Sequence, residues 1–121
     1  MTKSAIAQAF SAGEFSKCFA YLTEQSIWDT PGEQYVKGKG EIEEFCKKIR
    51  AYFDSVTTKF TKLNVIENDN CVAINGTAEF IRNGKRVSYV SSCDVYVFDK
   101  DNKIVNITSY CITQRPKKVT N

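Results

Sequence analysis

Residues 72–98 read VAINGTAEFIRNGKRVSYVSSCDVYVF, and the fold follows from this stretch. Val72, Ile74, Gly76, Ala78 and Phe80 fall on every second position, the period of a strand with one face turned to a core. Asn83-Gly84 then supplies the residues that a two-residue hairpin turn requires. A long strand from Lys85 to Phe98 returns along the first. Working outward, Val56 to Glu67 is rich in Thr, Val, Ile and Phe and is closed by Asn68-Asp69-Asn70. Its alternation slips between Phe60 and Leu63, which marks a bulge. On the other side, Asp99-Lys100-Asp101-Asn102 turns the chain into a last strand, Lys103 to about Gln114, stopped by Pro116.

Upstream of Val56 the period is helical. Ile6 and Phe10 lie one turn apart, and Gly13 ends that helix. Phe15, Cys18, Phe19 and Leu22 follow the spacing of one buried helical face. A short β-prone stretch, Ser26 to Thr30, runs into Pro31-Gly32, and a third helix begins near Lys39. Its apolar stripe is Ile42, Phe45, Cys46, Ile49 and Phe53, with Glu43–Lys47 and Glu44–Lys48 as exposed pairs. Helices followed by long antiparallel strands make an α+β domain, with the N-terminal helices packed in the concave face of a strongly curved, mostly antiparallel sheet. Twisted strands of this length bend, and the bend leaves a cavity under the helices.

The composition narrows the function. At 121 residues and 42% hydrophobic, the chain is expected to be one domain, with a core at about 4–114 and a basic tail at 115–121. No apolar run approaches the roughly 20 residues of a membrane-spanning helix, and Met1 to Gly13 does not read as a secretory signal. Cys18, Cys46, Cys71, Cys93 and Cys111 are odd in number and far apart, so reduced, mostly buried thiols in a cytoplasmic protein are expected. Asn75-Gly-Thr and Asn106-Ile-Thr then match the glycosylation pattern by accident. The net charge of +3 is weak, and part of it sits in Arg115, Lys117 and Lys118. Without a basic stripe, nucleic acid is not an expected partner. The chain has no histidine, which excludes Ser-His and Cys-His nucleophile pairs and the commonest zinc ligand. Acid–base chemistry therefore falls to carboxylates, Tyr, Lys or Cys, with no metal or cofactor expected.

Several strings resemble a known family. They are Gly13-Glu14-Phe15 between two helices, Ile27-Trp28-Asp29-Thr30-Pro31-Gly32, Lys37 to Ile42 opening the third helix, and Asp94 to Asp99 leading to Lys103-Ile104. From Ser4 to Gln114 the chain resembles the nuclear transport factor 2-like fold, and within it the SnoaL-like and ketosteroid-isomerase-like proteins. This fold carries enzymes, ligand binders and transport factors alike. In the isomerases an Asp on the first strand moves a proton, and a second, neutral Asp on a long strand meets the developing oxyanion beside a Tyr from the first helix. The resemblance places Asp29 and Asp94 at the two Asp positions and Ile6 near the Tyr position. Without that Tyr a steroid isomerase of the usual kind is not expected, since one missing oxyanion donor costs about 2.7–4 kcal/mol in the barrier.

The residues themselves leave two readings for each Asp. Asp29 either acts as the base or caps backbone N–H groups before the Pro-Gly turn. Asp94 is disfavoured in mid-strand, and shares its face with Ser88, Val90, Ser92, Tyr96 and Phe98. It points either into the cavity or, on the exposed face, to a Lys or Thr. Tyr96 is the nearest substitute for the missing Tyr; Tyr21 and Tyr52 are other candidates, although a Tyr at such helical positions more often completes the core. The resemblance implies a cavity wall of Trp28, Gly76, Ala78, Phe80, Ser92, Ile107, Ser109 and Cys111, suited to a small, largely apolar ligand with a carbonyl or hydroxyl. Cys111 has no base beside it in sequence and is not expected to be a nucleophile. Two functions remain open: a cofactor-independent isomerase, cyclase, dehydratase or hydrolase, or a ligand-binding or dimerisation module without turnover. The other face of the long strand, Val87, Tyr89, Ser91, Cys93, Val95 and Val97, with Tyr110 and Ile112 beside it, implies a homodimer through the convex sheet.

Overall fold

The computed structural model describes residues 1–114. In chain order they form α1 (Lys3–Ser11), a 3₁₀ helix (Phe15–Tyr21), β1 (Ile27–Thr30), β2 (Gln34–Lys37), α2 (Lys39–Ser55), β3 (Thr57–Glu67), β4 (Cys71–Arg82), β5 (Lys85–Phe98) and β6 (Ile104–Thr113). The strands make one open sheet in the order β2-β1-β6-β5-β4-β3. Only the β1–β6 pairing is parallel; every other pair is antiparallel. The architecture is the expected α+β cone. Pro116 and the basic run Arg115, Lys117 and Lys118 lie outside the described residues.

β2 and β3 are the two edges of the sheet, and α2 joins them. Its 17 residues span about 26 Å, close to the roughly 24 Å across five strand spacings. The helix therefore crosses the whole hollow. Three unpaired residues bend the sheet toward it. Leu63 on β3 lies between the paired Lys62 and Asn64, at the slip read from the sequence. Val87 on β5 and Val105 on β6 are skipped by their partners in the same way. Each such residue raises the local twist and re-aims the strand.

The register sorts the concave face into rows. Val72, Tyr96, Ile107 and Trp28 lie side by side across β4, β5, β6 and β1. The next row is Ile74, Asp94 and Ser109, followed by Gly76, Ser92 and Cys111. Ile6 and Phe10 of α1, Phe15 and Cys18 of the 3₁₀ helix, and Ile42 and Cys46 of α2 are buried over the first row. Gly13 ends α1 with φ +81°, its N–H bonded to the Phe10 carbonyl and the Glu14 N–H to the Ala9 carbonyl. This pair of bonds is a Schellman stop, and a side chain at residue 13 would also meet the Phe53 ring at 3.1 Å.

Some local expectations differ. The second helix is 3₁₀ rather than α, with Phe15 and Cys18 buried three residues apart in one column. The edge strand β2 was not read from sequence. On α2, Lys47 bonds Glu44 one turn back and not Glu43. All five cysteines are unpaired, but they are not mostly buried: only Cys18 and Cys46 are, while Cys71 and Cys93 are half-buried and Cys111 is exposed. No helix among the described residues is long and apolar enough to cross a membrane.

Candidate functional site

Asp94 is half-buried in the second row, on the wall of a cavity of about 310 Å³. Trp28, Ala78, Phe80, Ser92, Ser109 and Cys111 line that cavity with it. Ile107 does not: it is fully buried in the row behind, between Tyr96 and Trp28. Rings from the helices line one side of the cavity, with Phe10 and Trp28 edge to face at 4.9 Å and Trp28 and Phe45 at 5.2 Å. Burial raises the Asp94 carboxyl above the usual carboxylate value, and the Ser11 and Ser109 hydroxyls pull it partway back.

Those hydroxyls belong to a connected chain of groups. Ser11 donates from Oγ to Asp94 Oδ2 at 2.7 Å, and lies 2.6 Å from the Tyr96 hydroxyl. One hydroxyl carries one proton, so with Ser11 donating to Asp94, Tyr96 donates to Ser11. On the far side, Trp28 Nε1 donates to Ser109 Oγ at 3.0 Å, which leaves the Ser109 proton for its strand neighbour Asp94. Tyr96 is 0% exposed, and burial together with the Asp94 charge holds its phenol well above its usual value. It shares the Asp94 face as expected, but it stands behind Ser11 and lines neither cavity that Asp94 lines. Tyr21 and Tyr52 are outside both walls as well.

Asp29 is not brought to this site. It is in register with Thr108 of β6, and Thr108 with Val95 of β5. Side chains alternate along a strand, so Trp28 faces the hollow while Asp29 shares the convex face with Thr108 and Val95. Neither cavity wall at Asp94 includes it. The capping role also fails to form: Asp29 is paired inside the sheet, and the Glu33 N–H at the turn bonds the Thr30 carbonyl. Ile6, near the position expected for a Tyr, is buried at 0% exposure in the core. The polar group that α1 does present is Ser11, one turn after the buried Ala7; that spacing was the available signal. Glu33, in the turn after β1, lines the same cavity as Asp94 and was not singled out either. Cys111 is an exposed residue of the wall, and partial desolvation with the charges of Asp94 and Glu33 pushes its thiol up to about 11, away from nucleophilic use. Among the described residues no group of three or more His, Cys, Asp or Glu is placed to hold a metal ion.

An open six-stranded sheet with helices in its hollow defines the cone class of nuclear transport factor 2-like (NTF2-like) proteins. Within it, the chain belongs to the SnoaL-like domain family, whose pattern matches residues 4–107. Among solved structures, an NTF2-like protein of unknown function from Cytophaga hutchinsonii is 38% identical with a TM-score of 0.80, covering 89% of this chain and 94% of that one. A putative SnoaL-like polyketide cyclase from Shewanella denitrificans is 12% identical with a TM-score of 0.71, covering 91% and 90%. An LEH-like epoxide hydrolase from M. tuberculosis is 17% identical with a TM-score of 0.64, covering 87% and 75%. The last two show a shared fold. No curated protein matches the chain.

Proposed function

We propose that the chain is a cofactor-independent small-molecule enzyme in which Asp94 exchanges a proton or hydrogen bond with the oxygen of a largely apolar ligand. One observation carries this reading: a carboxyl with a raised pKa stands in the wall of an aromatic-lined cavity, oriented by two hydroxyls. In its neutral form Asp94 donates to a carbonyl or hydroxyl oxygen and stabilises charge that develops there. Ser11, backed by Tyr96, and Ser109, backed by Trp28, hold the carboxyl in place and act through it. Isomerase, cyclase, dehydratase and hydrolase chemistry all use such a group.

The test is a panel of small ketones, enols and epoxides, screened by thermal shift and then for turnover. Asp94→Asn keeps the shape and removes the acid, so it should retain ligand and lose turnover by orders of magnitude. A second reading, a binding module without turnover, is favoured by the position of Asp29, which leaves Asp94 without the second carboxylate that the resemblance supplied. Binding with no turnover by the parent would select it. The same proposal includes a two-fold homodimer through the convex face, where Val87, Val97, Tyr110 and Ile112 are exposed. A monomer in sedimentation at tens of micromolar would remove the dimer.

A further inference from the structure

Asp94 lies where two cavities meet. The second, of about 520 Å³, opens between α1 and strands β3 to β5. It shares Ser11, Phe60, Ala78, Ser92 and Asp94 with the smaller aromatic cavity. Their chemistry differs. Phe10, Phe15, Trp28, Phe45 and Phe53 line the smaller one, with the exposed Glu33 at its rim. Gln8, Thr61, Lys62 and Thr77 line the larger.

Lys62 is the distinctive group. Its ammonium reaches from β3 across to Gln8 Oε1 on α1 at 2.5 Å, a neutral partner, and among the described residues it forms no ion pair. Lys17, in the same wall, is already paired with Glu14 at 2.5 Å. Lys62 is in register with Gly76 and Gly76 with Ser92, and all three line the larger cavity. Two strand spacings and two residues separate Lys62 from Asp94, about 12 Å along the sheet.

We propose that the two cavities form one elongated site for an apolar carboxylic acid. The hydrocarbon body lies among the aromatic rings, a carbonyl or hydroxyl oxygen meets Asp94, and the carboxylate sits in the larger chamber against Lys62. The proposal rests on the reading that the aromatic cavity takes a ligand, and adds its class and direction. Charge sets the direction: Glu33 disfavours an anion at the aromatic end, and Lys62 attracts one at the other.

Decanoate, 1-decanol and decylamine share a chain and differ in head group. Titration calorimetry on the full chain should show decanoate binding about tenfold more tightly than 1-decanol, the scale of one charge-assisted hydrogen bond. Decylamine should bind most weakly. Lys62→Gln should bring decanoate down to the level of 1-decanol and leave 1-decanol unchanged, while Lys62→Arg should keep the preference. Lys62 is exposed, so both variants should fold as the parent does, checked by circular dichroism. Equal binding of acid and alcohol by the parent, a preference that survives Lys62→Gln, or a preference for the amine overturns the inference. If 1-decanol binds without any preference for the acid, only this inference fails. If none of the three binds, the small-molecule reading fails with it.

Discussion

The two ends of the concave face are built on the same strands and behave differently. At the closed end, Val72, Tyr96, Ile107 and Trp28 fill the row, and α1 and the 3₁₀ helix press on it. At the open end, two rows further on, Ser92 and Cys111 line the aromatic cavity with the α2 rings Phe45 and Phe53, and Gly76 lines the neighbouring one. Asp94, Ile74 and Ser109 form the row between. A carboxyl is tolerated there because the Ser11 hydroxyl bonds it and its open side faces the cavity. The contrast separates residues that hold the fold from residues that line the cavity.

Four comparisons can break or sharpen that contrast. The largest effect belongs to the closed end: Ile107→Ala removes a fully buried side chain and should cost about 3 kcal/mol in urea unfolding, against less than about 0.5 for Ser92→Ala. Similar losses for both would erase the distinction. Next is Gly76→Ala. A Cβ there would lie 2.3 Å from the Thr61 carbonyl oxygen, so the glycine answers a close strand approach beside the Leu63 bulge. A loss of about 2 kcal/mol is expected, read as a lowered melting temperature.

Ser11→Ala should cost about 1–2 kcal/mol, because it leaves the buried Tyr96 hydroxyl without its partner. Adding Tyr96→Phe should recover much of that loss in a double-mutant cycle. A Tyr96 that gains nothing from the second change would show that Ser11 serves Asp94 alone. The smallest effect is Asp94→Asn at low pH. The folded carboxyl has a raised pKa, so the folded state binds its proton more tightly than the unfolded chain does. Its contribution is fully present below the usual carboxylate value of 3.8 and is lost as pH rises through the raised folded value. Paired urea melts from pH 3 to 8 should find the parent falling behind Asp94→Asn only as that window is crossed.

The hairpin from Val72 to Phe98 was legible because its period of two and its Asn83-Gly84 turn agree, and Asp94 because a carboxyl interrupts an otherwise apolar or small face. β2 was not, since three of its four residues are exposed and show no alternation. The 3₁₀ turn could not be told from an α-helix, because burial at positions 15, 18 and 22 fits either spacing. Asp29 shows a different limit. The alternation that turns Trp28 inward turns Asp29 outward, and the resemblance set that pattern aside. Ser11 gave a weak signal, since a serine before a helix-ending glycine is ordinarily a solvent-facing residue. Lys62 gave none, because only the register across Gly76 brings it into the row of Ser92.

The parallel pairing of β1 with β6 has a consequence for how the chain folds. β3, β4, β5 and β6 pair with sequence neighbours through short turns, so this meander closes small loops. Trp28 must instead find Ile107 and Ser109, 81 residues away along the chain for the latter, and can do so only once β6 exists. Such a distant closure is slow by its topology and belongs to the end of the folding reaction. The chain has one tryptophan, so indole fluorescence reports the docking of β1 apart from the meander, which far-ultraviolet circular dichroism follows. Stopped-flow refolding should resolve two phases, with the fluorescence change confined to the later one.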